Sequence, residues 1–269
     1  PALTVITPIS IDHTQSLDDT IEAIASEKAG ILKRGVPCIV GPQPEAAMEV
    51  IERQAMRVGA PLLAYGQHWH VFEEHGRLIY QDETGLRDLP LPSLIGKHQV
   101  QNAGMALAAL RHLDMGDAAL EAAVTRAEWP ARMQKLKTGP LVEAAPLGEV
   151  WLDGGHNPAA GLALAEAMDR LPNRPTYLVC GMLNTKDIAG YLRPLARHAQ
   201  KLIAVSIPGE TATLSAEDTA MVAQEVGMQT DQSASVLEAV KHIADTDPQA
   251  RILICGSLYL AGSVLRENG

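Results

Sequence analysis

The chain has 269 residues, long for one domain and comfortable for two at about 150 residues each. Hydrophobic residues make up 46% and charged residues 20%, which implies a buried core and excludes wholesale disorder. The formal net charge of −10 and an aromatic content of 3% argue against a phosphate-backbone or base-stacking nucleic-acid binder, although a local pocket for a nucleotide remains compatible with them.

The chain opens at Pro1 without methionine and runs into β-branched, apolar residues from Ala2 to Ile11, so it is expected to be a fragment beginning at an interior strand. A helix is predicted over residues 18–29, capped by Ser16 or Asp18. "VPCIVGP" predicts a short buried strand, and "PEAAMEVIERQAMRVG" an amphipathic helix with proline at its start and Gly59 past its end. This strand-helix alternation favours a mostly parallel sheet covered by helices. Residues 62–92 change to short alternating runs broken by Gly and Asp, the pattern of antiparallel hairpins.

"KHQVQNAGMALAALRHL" and "DAALEAAVTRAEW" return to helical spacing, and Pro130 is expected to stop the second. The Pro-, Gly- and Lys-rich "ARMQKLKTGPLVEAAPLGE" reads as a linker, about residues 131–148. This gives an N-terminal unit over 1–130 and a C-terminal unit over 149–269. In the latter the strands "VWLDGG", "TYLVCG", "KLIAVSI" and "RILICG" alternate with helices near 158–170, 187–199, 215–226 and 235–245. Such a doubly wound, Rossmann-like α/β unit binds ligands outside the carboxyl ends of its strands.

Three cysteines without CxxC spacing, Cys38, Cys180 and Cys255, read as buried thiols of a reducing compartment. No run approaches the ~20 apolar residues of a membrane span, and no signal segment opens the chain. A cytoplasmic protein that contacts neither membrane nor nucleic acid is expected.

"WLDGGHNPAAG" is the sharpest local signal. Its glycines permit a tight turn, Asn157 can cap a helix, and Pro158 suits the first helical position. Asp153 and His156 either satisfy that turn or serve a phosphate-bearing ligand at the helix N-terminus. Lys186 and Asp187, after the next strand, either line the same cleft or form a solvated loop. His13 follows a strand, and Lys28 sits in a last helical turn, where a cation complements the macrodipole. A lysine amine that captures carbon dioxide near a metal becomes a carbamate, an oxygen ligand that Mg²⁺ accepts.

"ITPISIDHTQSL", "SEKAGILK", "QNAGMALAAL", "WPARMQ" and "LDGGHNPAAG", in that order, resemble folylpolyglutamate synthase, often bifunctional with dihydrofolate synthase, within the Mur ligase superfamily. The resemblance implies the C-terminal part of a P-loop-type ATPase (Mur ligase central) domain followed by the Rossmann-like C-terminal domain. It implies an ATP-dependent ligase, acting as a monomer, that adds L-glutamate to folate or dihydropteroate through an acyl phosphate. His13 and Lys28 would be Mg²⁺ ligands, with Lys28 carbamylated. Asn102 would contact the adenine, Arg132 the phosphates and Asp153 the nucleotide, and His156 would lie beside the reacting groups.

Gly155 stands where that pattern usually has alanine, and the segment from Arg132 to Asp153 is longer than in some relatives. The family's GxxxxGK[ST] phosphate loop is absent from these 269 residues, so the chain alone is expected to be inactive. A Mur-type ligase acting on a peptidoglycan precursor and a non-catalytic nucleotide-binding module are the alternatives. The lack of GxGxxG leaves a nicotinamide oxidoreductase poorly supported.

Overall fold

The computed structural model describes residues 1–10 and 20–269, and these form two compact units that divide between Glu128 and Trp129. In the first unit, strands β1 (Thr4–Ile6), β2 (Cys38–Val40) and β3 (Leu62–Ala64) make a parallel sheet in that order. Helices α1 (Ile21–Ala29) and α2 (Glu45–Val58) connect them. Alanines 25, 29, 47 and 55 let the two helices come close over a core that includes Ile6, Val40 and Ile51. The cap of α1 is Thr20, whose Oγ1 accepts from the Ala23 N–H at 3.2 Å; Ser16 and Asp18, expected in that role, lie outside the described residues. α2 ends as its sequence predicts, with Gly59 at φ 76° donating to Ala55 O.

Strands β4 (Trp69–Glu74), β5 (Arg77–Asp82) and β6 (Gly85–Pro90) form the expected antiparallel sheet. Trp69, Val71, Leu78, Tyr80 and Leu89 pack against α3 (Lys97–His112) and α4 (Asp117–Thr125). α4 ends five residues before Pro130. Its last carbonyls are taken: Val124 O accepts from the Ser93 N–H at 3.1 Å, and Thr125 Oγ1 folds back onto Glu121 O at 2.8 Å.

The second unit is a six-stranded sheet in the order β11-β10-β9-β12-β8-β7. Its strands are β7 (Gln134–Lys135), β8 (Glu149–Leu152), β9 (Thr176–Cys180), β10 (Lys201–Ala204), β11 (Thr230–Gln232) and β12 (Arg251–Cys255). All pairings are parallel except β7 with β8. Helices α6 (Pro158–Met168), α7 (Ile188–Leu192) and α8 (Ala216–Glu225) pack on one another, whereas α5 (Pro140–Ala144), α9 (Val236–Thr246) and α10 (Leu258–Asn268) form a second group. Leu152, Val179, Ile203, Ile252 and Ile254 are buried in the core beneath α9 and α10.

Three differences from the sequence expectations have local causes. The stretch 131–148, read as a linker, carries β7 and α5, and its Ala131, Leu136, Leu141 and Ala145 belong to the second unit's core. Its prolines and glycines shape short elements. The helix expected over 187–199 is α7 followed by a 3₁₀ segment, Arg193–His198, because Pro194 supplies no N–H to an α-helical ladder. The polar strand β11 is an edge strand, so no apolar run announces it. Among the described residues no helix is long and apolar enough to cross a membrane.

α6 and α7 approach through Gly161, where a Cβ would overlap the carbonyl oxygen of Tyr191, a backbone atom that cannot swing away. Gly161→Ala is therefore expected to destabilise the second unit by about 1–3 kcal/mol. Gly262→Ala in α10, whose new Cβ would meet nothing closer than 3.9 Å, is expected to gain about 0.5–1 kcal/mol, both read by urea denaturation.

At the start of β8, burial works against the Glu149 carboxylate, but hydrogen bonds from Lys135 and Trp151, and the charges of Lys135 and Arg174, hold its pKa down at about 2. A carboxylate with a lowered folded pKa contributes stability above its unfolded value and loses it as pH falls toward the folded one. The melting temperature is thus expected to drop between about pH 4.5 and 2, and less steeply in Glu149→Gln. An unchanged slope in that variant would refute the assignment.

Candidate functional site

β12 lies between β8 and β9, so the loops leaving the carboxyl ends of these three strands are neighbours. The first is Asp153–Asn157. The β8 ladder continues through Asp153 N–H to Ile254 O at 2.9 Å and leaves the side chain buried, at 8% exposure. Its Oδ1 accepts from the Gly155 N–H at 2.7 Å and its Oδ2 from the Met133 N–H at 2.9 Å. His156 Nδ1 lies 3.1 Å from Gly154 O, which can only accept. Nδ1 therefore carries a proton and donates to that carbonyl. Asn157 caps α6 through Oδ1 and the Ala160 N–H at 2.8 Å, and Pro158 follows at the first helical position.

The glycines here provide room. Neither Gly154 nor Gly155 has the positive φ expected of a tight turn. A Cβ on Gly154 would instead run into Leu258 and come within 3.2 Å of Arg132 Nη1; one on Gly155 would lie 2.9 Å from Asp153 Oδ1.

Arg132 comes to this loop on a second turn. Its neighbours Ala131 and Met133 both have left-handed backbones, at φ 55° and 42°, uncommon for residues with a Cβ. The Gly154 N–H donates to Ala131 O at 2.9 Å, and the Ala131 N–H donates to Gln134 Oε1 at 2.9 Å. The guanidinium is half-buried and Nη1 donates to Ala131 O at 3.2 Å. Arg132, Asp153 and His156, three residues singled out from sequence, are thereby gathered at one strand end beside a helix N-terminus.

After β9, Asp187 caps α7 through the Gly190 N–H at 2.8 Å, and Lys186 is half-buried next to it. Beneath these loops Cys180 and Cys255 stand opposite one another on β9 and β12, with Tyr191 nearby. The hydrogen bond with Cys255, and then burial, push the Cys180 thiol up; burial, and then Cys255 and Asp153, push up the Tyr191 phenol. These groups stay neutral. All three cysteines are buried and unpaired, as expected from their sequence context.

Lys28 is exposed in the last turn of α1, and Asn102 is exposed on α3, its Nδ2 donating to Gln99 Oε1 at 3.1 Å. Both lie in the first unit. His13 lies outside the described residues. Gln134 is a participant that the sequence did not single out as a site residue; its only signal is its place two residues after Arg132.

Two concavities lie away from these loops. One of about 460 Å³ surrounds Trp69, Tyr80, Arg111 and His112 in the first unit; another of about 520 Å³ is lined by Arg174, Arg197 and Arg251. The first has its arginine held by Asp82, and the second has Arg197 and Arg251 held by Asp169 and Glu149. The strand-end loops, where an arginine, an imidazole and a helix N-terminus converge, are the better site for an anionic ligand.

This α/β arrangement, with its parallel sheets, matches solved chains of FolC, a Mur-type ligase. Residues 143–267 match the family model "Dihydrofolate synthetase, C-terminal domain". Folylpolyglutamate synthase of Lacticaseibacillus casei is 29% identical over 98% of this chain and 61% of its own length. A structure of E. coli FolC in complex with DHPP and ADP aligns at TM-score 0.83 and 31% identity, over 98% of this chain and 61% of that one. The Yersinia pestis folylpolyglutamate synthase/dihydrofolate synthase, complexed with AMPPNP and Mn ion, aligns at TM-score 0.83 and 28% identity over the same shares. The chain is thus similar over nearly its whole length to folylpolyglutamate synthases and dihydrofolate synthases, and it spans 61% of these relatives' length.

Asn157→Ala removes the cap of α6 and is expected to cost about 1 kcal/mol, with Asn157→Asp close to wild type, in denaturant titrations of the second unit. Equal losses in the two variants would show that the cap is not what Asn157 contributes.

Proposed function

We propose that the chain is part of an ATP-dependent ligase that joins L-glutamate to tetrahydrofolate, and also to dihydropteroate, by way of an acyl phosphate. The observation that carries this reading is the convergence of Arg132, Asp153 and His156 at the carboxyl end of β8, in a chain similar over nearly its whole length to folylpolyglutamate synthases. In this reading the first unit is the C-terminal part of a P-loop-type ATPase domain, and the enzyme is a cytoplasmic monomer. Buried thiols at Cys38, Cys180 and Cys255 suit that compartment.

Activating a carboxylate by phosphorylation requires that charge on the moving phosphoryl group be neutralised and that water be kept from the mixed anhydride. The Arg132 guanidinium, held at the loop, neutralises phosphate charge. The N-terminus of α6 adds its partial positive charge. By the family resemblance, Asp153 is assigned to the nucleotide, Asn102 to the adenine, and His156 to the reacting groups. Lys186 and Asp187 border the same strand ends.

Mg²⁺, when bound, supplies further neutralisation of the phosphates. Among the described residues no group of three or more His, Cys, Asp and Glu could hold a metal ion, and the ligands that the family resemblance assigns are His13, outside the described residues, and Lys28. An ammonium cannot ligate a cation. The exposed Lys28 amine is open to carbon dioxide, and only its carbamate fits the role. The similarity to named folylpolyglutamate synthases gives the peptidoglycan-ligase alternative no support of its own.

The test is ADP release from MgATP with tetrahydrofolate and L-glutamate, on this chain and on the chain extended upstream by its natural reading frame. Turnover is expected in the extended form alone, since the 269 residues lack a phosphate loop. Arg132→Ala is expected to raise its KM for ATP about 10- to 100-fold, the value of a hydrogen bond to a charged group. Absence of folate- and glutamate-dependent release from both forms would overturn the reading.

A further inference from the structure

We infer that Gln134, together with Asp153, is a positioning residue that acts through Arg132 by holding the backbone around it in a strained turn. The inference rests on the proposed function only for what Arg132 binds. The bracing is a matter of backbone geometry.

Two left-handed residues within three positions are costly when neither is Gly, Asn or Asp. Ala131 and Met133 have no side-chain group that favours this conformation, so the surroundings must impose it. Three hydrogen bonds do so. The Gly154 N–H, anchored past the end of β8, holds Ala131 O at 2.9 Å. Asp153 Oδ2 holds the Met133 N–H at 2.9 Å. Gln134 Oε1 holds the Ala131 N–H at 2.9 Å, bridging the turn from inside. Gln134 can do this because its own backbone is set by β7, where it pairs with Leu152, the residue before Asp153.

The flanking side chains are buried, Ala131 at 3% and Met133 at 5% exposure, so the turn is clamped on both sides while Arg132 between them stays half-exposed. Of the three clamps, the Gln134 amide alone is a flexible side chain with no duty in the β8 loop. Its removal should free Arg132 without unfolding the sheet.

The variants are Gln134→Leu, of similar size without an acceptor; Gln134→Glu, which keeps the acceptor; and Gln134→Leu with Ala131→Gly, which makes the left-handed backbone easy. In the upstream-extended enzyme, Gln134→Leu is expected to raise the KM for ATP about 10-fold and leave kcat within about threefold. Gln134→Glu is expected to stay within about threefold of wild type, and Ala131→Gly to recover most of the loss in the double variant. A drop in melting temperature with no change in KM, or equal defects in Gln134→Leu and Gln134→Glu, would reduce Gln134 to a structural residue.

Amide hydrogen exchange on the 269-residue chain, which needs neither nucleotide nor activity, separates this inference from the ligase reading. Exchange at Ala131 and Met133 is expected to speed up about 10-fold or more in Gln134→Leu, with β9 and β12 amides unchanged. Exchange as slow as wild type at these two amides would overturn the bracing whatever the enzyme turns over.

Discussion

The second unit depends on where the Asp153 carboxylate spends its hydrogen bonds. A buried carboxylate is expensive unless its oxygens are matched by donors, and here both are matched by main-chain amides, Gly155 on one side and Met133 on the other. Those amides belong to segments some twenty residues apart in the chain, and one side chain therefore fixes two loops at once. The Arg132 turn and the His156 loop become a single object. Its rigidity comes from the burial that would otherwise make the charge unfavourable.

The sheet makes that arrangement possible. Placing β12 between β8 and β9 brings three strand ends together, and the two helix groups that leave them pack separately. Space is made by omission of side chains: Gly154 leaves room for Leu258 and the arginine, and Gly161 lets α6 approach the backbone of α7. The buried Cys180 and Tyr191 beneath the loops, both pushed toward their neutral forms, offer no competing charge there. Among the described residues, Arg132, Lys186 and Asp187 are partly exposed at this strand end, on the side where the helix N-terminus of α6 favours anions.

Much of this was legible in the sequence, for reasons that differ by element. Asn157 and Pro158 declare the start of α6 through local chemistry, and they do what their types predict. The apolar strands of the second unit announce themselves because both faces are covered. Ala131 and Met133 carry no such signal: their left-handed conformations are imposed from outside, by partners at Asp153, Gly154 and Gln134, and no local propensity encodes them. The two glycines of "LDGGHNP" were legible as special and misread in mechanism, since space around a glycine depends on what packs there. Edge strand β11 and short helix α5 were hidden by polar and Pro/Gly-rich composition, the same features that mark loops.

The ordering of 131–148 changes what Arg132 is. On a flexible connector, an arginine would surrender conformational freedom each time it met an anion, and its contribution to affinity would shrink accordingly. Here its backbone is already fixed by three hydrogen bonds, and its neighbours are already buried. The backbone share of the entropy of placing Arg132 was lost when the second unit folded, not when ligand arrives. Local strain at Ala131 and Met133 is the cost of that preorganisation, and it falls on folding stability, where the large core of the sheet can absorb it. The Arg132 turn and the loop that bears His156 are tied together by the hydrogen bonds of the Asp153 carboxylate and the Gly154 N–H, so one strand end carries all three groups.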